Sequence, residues 1–166
     1  MELGVIVRMH EGDIGEGIKD VSEFGFKTCQ ISCWDMTKMT DENAEKIITA
    51  TKKYGVKVSA FWCGWEGATA WDFVDGYHTL GLVPLYYRKS RIQNLKQGSD
   101  FAKKIGVTDV ATHMGFLPEN CKTDEYSAVI EAIREVALYM KQNGQNLLFE
   151  TGQETPITLK RTIQTV

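Results

Sequence analysis

A carboxylate that follows a short apolar run is the most informative feature of this 166-residue sequence. Residues 147–150 read Leu-Leu-Phe-Glu, and Thr155-Pro156 then has the pattern that caps and opens a helix. We predict that Glu150 ends a strand, where catalytic groups collect in parallel α/β proteins. A glutamate there can bind a hard divalent metal ion or act as a base on a carbon acid. The alternatives are a solvated loop glutamate and an acceptor for N–H groups of the next helix.

A histidine occupies the equivalent position one strand earlier. His113 ends the predicted strand 110–113, where an imidazole can bind a metal, polarise a carbonyl or hydrogen-bond a sugar hydroxyl. A structural histidine is the alternative. Trp62 and Cys63 end the third predicted strand, and Trp34 follows the second. Flat aromatic faces suit the apolar face of a sugar ring, although tryptophans also fill the space above strand ends.

Other motifs carry weaker signals. Glu154 is a candidate, but an acidic residue just before a helix is favourable on electrostatic grounds alone. Gly12, Gly15 and Gly17 have the order G-x-x-G-x-G, which is not the dinucleotide-binding fingerprint.

A basic group opens a predicted helix in the middle of the chain. Arg88, Lys89 and Arg91 could meet a phosphate there. A solvated helical face is the simpler interpretation of such a group.

Five βα units must position these candidates. A helix, a glycine and an apolar strand recur in that order, and glycine suits the left-handed conformation that closes a helix. The glycines are Gly25, Gly55, Gly106 and Gly144. The predicted strands are residues 3–9, 28–33, 56–62, 110–113 and 147–150. Helices are predicted over 41–54 with Thr40 as N-cap, over 123–142, and from Pro156 onward. This alternation predicts a parallel sheet with right-handed crossovers.

Two architectures fit five βα units. A doubly wound, flavodoxin-like sheet is complete at this length, whereas a TIM barrel needs eight strands and typically about 250 residues. Periodicity alone slightly favours the doubly wound sheet. The surplus length between Cys63 and Leu85 holds Trp65, Trp71 and Tyr77. It is either a lid or pocket wall, or a surface excursion that packs its own tryptophans.

Composition limits the function classes. The net charge of −3 gives no electrostatic case for nucleic acid or an anionic membrane. No apolar run approaches the roughly 20 residues that span a bilayer, and the first strand lacks the features of a signal peptide. Cys29 and Cys33 share a strand face too far apart to bridge, so we predict reduced thiols in a cytoplasmic protein.

Several segments together resemble the sugar phosphate isomerase/epimerase family, the xylose isomerase-like TIM barrels. They are FETGQETP at 149–156, FWCGW at 61–65, TLGLVP at 79–84, Tyr87-Arg88 and THMGFLPE at 112–119. The resemblance covers essentially the whole chain and favours the TIM barrel over the doubly wound sheet. It implies one α/β domain over residues 1–166 that comprises about the first five βα units of a (β/α)8 barrel, an incomplete barrel.

The resemblance also implies a single divalent metal ion, such as Mn, Mg, Co or Zn, held by four side chains. Glu150 matches the first ligand, and the other three would lie beyond residue 166. In this family the metal coordinates the carbonyl and hydroxyl oxygens of a ketose or aldose. Two metal-bound glutamates remove and return a proton at the adjacent carbon, through an enediolate intermediate. The substrate-side candidates are His113, Glu154, Trp62, Cys63 and Trp34.

The resemblance therefore implies a sugar or sugar phosphate isomerase or epimerase, and we expect the 166-residue chain to be catalytically inert alone, because one ligand of four cannot hold a hard cation in defined geometry. The outer strands of an open barrel predict self-association or completion by a separate segment. A metal-dependent endonuclease of the endonuclease IV type also resembles the chain, but it needs a histidine where Trp62-Cys63 stands. A binding module with a complete five-stranded fold and a non-catalytic interaction fragment are further alternatives.

Overall fold

Five parallel strands and the helices between them make up the computed structural model, which describes residues 2–166. The strands are β1 (Gly4–Arg8), β2 (Thr28–Cys33), β3 (Lys57–Cys63), β4 (Asp109–His113) and β5 (Asn146–Glu150). The helices are α1 (Ile14–Glu23), α2 (Asp41–Tyr54), α3 (Gly76–Thr79), α4 (Leu85–Lys104), α5 (Asp124–Gln142) and α6 (Pro156–Thr165), with a 3₁₀ turn at Met36–Lys38. All five predicted strands are present, with ends that differ by at most one residue.

The strands lie side by side in chain order, β1-β2-β3-β4-β5, and every neighbouring pair is parallel. A doubly wound sheet reverses its strand order at a switch point, whereas a TIM barrel adds each strand next to the previous one. The order is therefore that of a partial TIM barrel with five of eight strands. The slight preference that periodicity gave the doubly wound sheet is wrong, because periodicity reports elements and not their order.

Threonine side chains start three of the helices. Thr40, Thr123 and Thr155 each accept a hydrogen bond from the backbone N–H three residues later, at 3.2, 3.2 and 3.3 Å. Each bond satisfies a donor that the first helical turn would otherwise leave unpaired. The caps predicted at Thr40 and Thr155 are confirmed. At the other end of α2, Gly55 closes the helix in the left-handed region with φ of 65°.

The core lies between the helices and the outer face of the sheet. Alternate residues of each strand enter it, including Ile31, Phe61 and Val110, none of which is exposed. Helix α2 contributes Ala44, Ile47 and Ala50, whereas Ile48 and Thr51 at the border of this face are only partly buried. The other face of the sheet corresponds to the inside of a barrel.

The basic group on α4 is not a solvated face, and this expectation is wrong for Arg91. Its side chain is fully buried, and its guanidinium donates to the carbonyl oxygens of Glu66, Ala68, Thr79 and Gly81 at 2.6–3.2 Å. The Trp65 and Tyr87 rings lie on it, with centroids 5.2 and 4.4 Å from Cζ. Burial lowers the pKa of Arg91 to about 10. Arg91 thus fastens the long β3–α4 connection to α4.

Arg88 is also engaged by the protein backbone. It donates to the carbonyl oxygens of Leu82 and Val83 at 2.7 and 2.5 Å. Only Lys89 of the three basic residues extends into solvent.

The two outer strands, β1 and β5, each have one strand neighbour among residues 2–166. Ile6 on β1 is 55% exposed and Leu148 on β5 is 40% exposed. Beside β5, a groove of about 620 Å³ is lined partly by Leu147, Leu159 and Ile163. Within the described part of the chain, no helix combines the length and apolar character needed to cross a membrane.

Candidate active site

Three strand ends bring Trp62, His113 and Glu150 onto one face of the sheet. His113 and Glu150 are register partners across β4 and β5, and Trp62 pairs with Ala111, two residues before His113. Register partners of parallel strands point to the same side, as do residues two apart in one strand. The three side chains therefore face the barrel interior at its carboxyl end.

Glu150 is held by an indole. Trp62 Nε1 donates to Glu150 Oε2 over 2.6 Å, a short charge-assisted hydrogen bond that spans 88 residues of sequence. The side chain of Glu150 is otherwise exposed toward the interior. One carboxylate oxygen is fixed, and the other, Oε1, has no protein partner among residues 2–166.

His113 is buried and has a defined hydrogen-bond partner on one side. Its Nδ1 accepts a hydrogen bond from the Gly115 backbone N–H at 3.0 Å. Burial lowers the pKa of His113, while the nearby carboxylates of Glu150 and Glu154 act in the opposite direction. The net direction favours the neutral imidazole.

All four tryptophans of the chain gather above these strand ends. Trp34 lies 4.7, 5.1 and 5.9 Å from Trp62, Trp65 and Trp71, measured between ring centroids. The edge of Trp71 also contacts His113, with centroids 5.2 Å apart and planes at 85°. The long β3–α4 connection therefore forms a wall of the site through Trp71. Its other tryptophan, Trp65, is buried.

A pocket of about 330 Å³ opens between the β3–α4 connection and the loop after β5. Its lining residues are Trp71, Asp72, Phe73, His113, Phe116, Glu150, Thr151, Gly152 and Gln153. This volume is within the range of small-molecule sites. The Gln153 Nε2 atom is buried there without a hydrogen-bond partner in the protein. The lining thus combines aromatic faces, carboxylates and unpaired donors.

The loop after β5 is folded tightly and tied to its neighbour. Glu154 accepts from the Gly152 backbone N–H at 3.1 and 3.3 Å. Glu119, in the loop after β4, accepts from Thr155 N and Thr155 Oγ1 at 2.7 and 2.9 Å and also from the Thr158 hydroxyl. These bonds lower the pKa of Glu119, with the Thr158 hydroxyl the largest contributor. Two adjacent loops are thereby joined at the site.

The predicted site residues do not all meet. Trp34, Trp62, His113 and Glu150 surround the same space, and Glu154 stands at its rim. Cys63 points the other way: it is fully buried, its Sγ contacts the carbonyls of Gly64 and Asn94, and a Cβ on Gly98 would lie 2.2 Å away. Burial raises the pKa of its thiol. The structure thus places Cys63 in the core behind the sheet.

Sequence reasoning missed several neighbours of the site. Gly152, Gln153 and Phe116 line the pocket, and Glu119 fixes the loop beside it. The only sequence signal for these four residues is that they lie within the segments 112–119 and 149–156, which resemble the family.

The side chains at the site provide only part of the coordination that the implied divalent metal ion needs. Across residues 2–166, no group of three or more His, Cys, Asp or Glu side chains is arranged to hold a metal ion. The free Oε1 of Glu150 suits one ligand position, so the described residues by themselves do not form a complete metal site.

A family model described as "Xylose isomerase-like TIM barrel" matches residues 18–166. The chain belongs to this family. No match was found among curated proteins. Solved structures have the same fold. A xylose isomerase domain protein from Planctomyces limnophilus superposes with a TM-score of 0.88 and is 27% identical in sequence. That alignment covers 98% of this chain and 57% of the other.

Two further solved structures show how widely the xylose isomerase-like fold is used. A 3-keto-D-glucoside 4-epimerase from E. coli is 15% identical with a TM-score of 0.68, over 99% of this chain and 64% of that one. An AP endonuclease, family 2, from Brucella melitensis is 15% identical with a TM-score of 0.60, over 90% and 55%. The chain therefore spans less than two thirds of the length of these structures, and at these identities the likeness shows the fold.

Proposed function

We propose that this xylose isomerase-like chain contributes the first part of a sugar isomerase or epimerase site, in which a proton moves on and off the carbon next to a carbonyl. The observation that carries the proposal is the Trp62–Glu150 hydrogen bond, because it holds a carboxylate at a strand end with one oxygen free. A base must have a fixed position relative to the proton it removes. Support for a sugar comes from the epimerase among its structural relatives.

The surrounding residues fit a polyhydroxylated substrate. The Trp34 and Trp71 rings offer flat faces for the C–H side of a sugar, and Trp71 is 56% exposed. Glu154 and Gln153 offer polar atoms to hydroxyl groups at the same rim.

A divalent metal ion, when bound, would supply Lewis-acid stabilisation of the negative charge that develops on the substrate oxygens. Glu150 would provide one ligand through its free oxygen, and the other ligands would come from outside residues 2–166. Glu150 would also accept the proton. Buried, unpaired thiols at Cys29, Cys33 and Cys63 support a reducing, cytoplasmic setting.

An endonuclease function is not favoured. The position that would need a metal-binding histidine is Trp62, and its indole N–H is already committed to Glu150. An indole donates and cannot ligate a metal in this way.

Tryptophan fluorescence of the 166-residue chain tests the proposal, because all four tryptophans lie at the site. We expect D-fructose or D-xylose to change the emission saturably at millimolar concentrations, roughly −4 kcal/mol of binding. Glu150→Gln should weaken the response, whereas Glu45→Gln on the exposed face of α2 should not. No saturable response to either sugar would contradict the proposal.

The same samples, incubated with Mn²⁺, test how much of the site is present. Because residues 2–166 hold one potential ligand, we expect no sugar interconversion by NMR. Turnover by the purified chain would show that it holds the metal without further ligands.

A further inference from the structure

The His113 ring has a tautomer fixed by the backbone. Its Nδ1 lies 3.0 Å from the Gly115 amide nitrogen, which always carries a hydrogen. Nδ1 must therefore offer its lone pair, and in the neutral ring the hydrogen is on Nε2. Gly115 keeps this position because its φ of 91° suits glycine and an added Cβ would lie 2.2 Å from the Leu80 carbonyl oxygen.

The Nε2–H donor has no partner within the protein. His113 is 5% exposed, yet its Nε2 makes no hydrogen bond to any of residues 2–166. Among residues 2–166, Nε2 is not one of the side-chain atoms that are fully enclosed without a partner, so it remains accessible from the pocket. The ring belongs to the lining of the pocket that also contains Glu150, so the missing acceptor would be supplied there.

Gly152 controls the space next to that nitrogen. A Cβ built on Gly152 would lie 2.5 Å from His113 Nε2, closer than such nonbonded atoms approach, and 3.0 Å from Cε1. The backbone at Gly152 is outside the left-handed region, so a glycine is not required there by conformation. The absence of a side chain at position 152 therefore keeps the space next to His113 Nε2 open.

We propose that His113 binds the substrate as an Nε2–H hydrogen-bond donor to a carbonyl or hydroxyl oxygen, and that Gly152 is the specificity-determining residue that leaves room for this oxygen. The inference rests on the proposed function and assigns a subsite within it. His113 and Glu150 are register partners on neighbouring strands and line the same pocket, so adjacent atoms of one sugar can contact both side chains. His113 thus holds the oxygen while Glu150 faces the neighbouring carbon.

Long-range ¹H–¹⁵N NMR of the histidine rings in the whole 166-residue chain tests the donor directly. The chain has three histidines, and His113→Gln identifies the signal of interest. We expect a single Nε2–H tautomer for His113, whereas the exposed rings of His10 and His78 should interconvert between tautomers. A hydrogen on Nδ1 would overturn the inference.

Binding of D-fructose to the Gly152→Ala variant tests whether the space next to His113 Nε2 is needed for the sugar. We expect roughly tenfold weaker binding than in the wild type, because the oxygen loses its place beside Nε2. Thr49→Ala on the exposed face of α2 should bind as the wild type does. His113→Gln keeps an N–H donor and should retain more affinity than His113→Leu. Circular dichroism of each variant shows that the fold is kept.

The outcomes separate the inference from the proposed function. If D-fructose changes the tryptophan emission of wild type and Gly152→Ala with the same affinity, the sugar site stands and the role of Gly152 is wrong. If it binds neither, the proposed function fails and the subsite fails with it. An Nε2 resonance that moves with D-fructose in the wild type and not in Gly152→Ala supports both.

Discussion

Glu119 joins the loops after β4 and β5 although its side chain is exposed. Its carboxylate accepts hydrogen bonds from Thr155 and Thr158, which begin α6, and its backbone carbonyl accepts from Arg161. The carboxylate also lies at a helix N-terminus, where negative charge is favourable. The loop that it secures carries Gly152 and Glu154, so a residue outside the pocket determines the shape of the pocket rim.

We expect the Thr155 amide resonance to report the ionisation of Glu119. Because the folded-state pKa of Glu119 is lowered, this link stabilises the fold above the unfolded-state pKa and is lost as the pH falls through the folded-state pKa. The Thr155 amide should therefore titrate with a midpoint below the usual glutamate range. In Glu119→Gln this titration should disappear, and in Glu131→Gln, an exposed glutamate on α5, it should persist. An unchanged titration in Glu119→Gln would contradict the assignment.

The placement of single residues could be predicted where the strand ends alone decide it. Glu150 and His113 lie together because the carboxyl ends of neighbouring parallel strands meet at one edge of the sheet. Cys63 lies apart from them because one step along a strand reverses the face: Trp62 points inward and Cys63 outward. Gly152 could not be predicted, since its role depends on the distance to a ring 39 positions earlier.

The β3–α4 connection is the element that shapes the pocket, and Arg91 is its anchor. A buried guanidinium that donates to four carbonyls satisfies backbone acceptors that the connection could not pair within itself. Its charge faces aromatic rings and backbone dipoles rather than a carboxylate. The same connection carries Trp71, which contacts His113.

We expect Arg91→Met to destabilise the chain by about 3 kcal/mol or more, because the carbonyl oxygens it serves would be buried without donors. Lys89→Met on the same helix, where the side chain is exposed, should change stability by less than about 0.5 kcal/mol. Chemical denaturation measures both. Equal effects of the two substitutions would show that Arg91 does not anchor the connection.

Elements with local signals were predictable from sequence, and the connection was not. Thr40, Thr155 and the helix-closing Gly55 act within one turn of their helix, so their roles can be inferred from neighbours in sequence. Arg91 contacts residues 10 to 25 positions away. A basic residue at a helix start has the same local pattern whether it is solvated or buried, and only the path of the connection distinguishes the two.

At the scale of the whole molecule, the two outer strands of the sheet are the feature with consequences for association. β1 and β5 each have one strand neighbour in the described part of the chain, and their interior faces carry Ile6 and Leu148, which are substantially exposed. Unpaired strand edges with apolar side chains are templates for pairing with another chain. The groove beside β5 adds Leu159 and Ile163 to the same apolar border.

We therefore expect the 166-residue chain to self-associate, and Ile6→Lys combined with Leu148→Lys to weaken the association by roughly tenfold or more, about 1.4 kcal/mol. An inward-pointing charge on an edge strand opposes pairing, because a second strand would bury it. Leu85→Lys is the control, since Leu85 is a more exposed leucine that lies at the start of α4, away from both edges. Sedimentation velocity over a range of concentrations measures the effect. A wild-type chain that remains monomeric at the highest concentration would contradict the prediction. Association that persists in the double variant but is lost in Leu85→Lys would place the contact at the start of α4 instead of at the sheet edges.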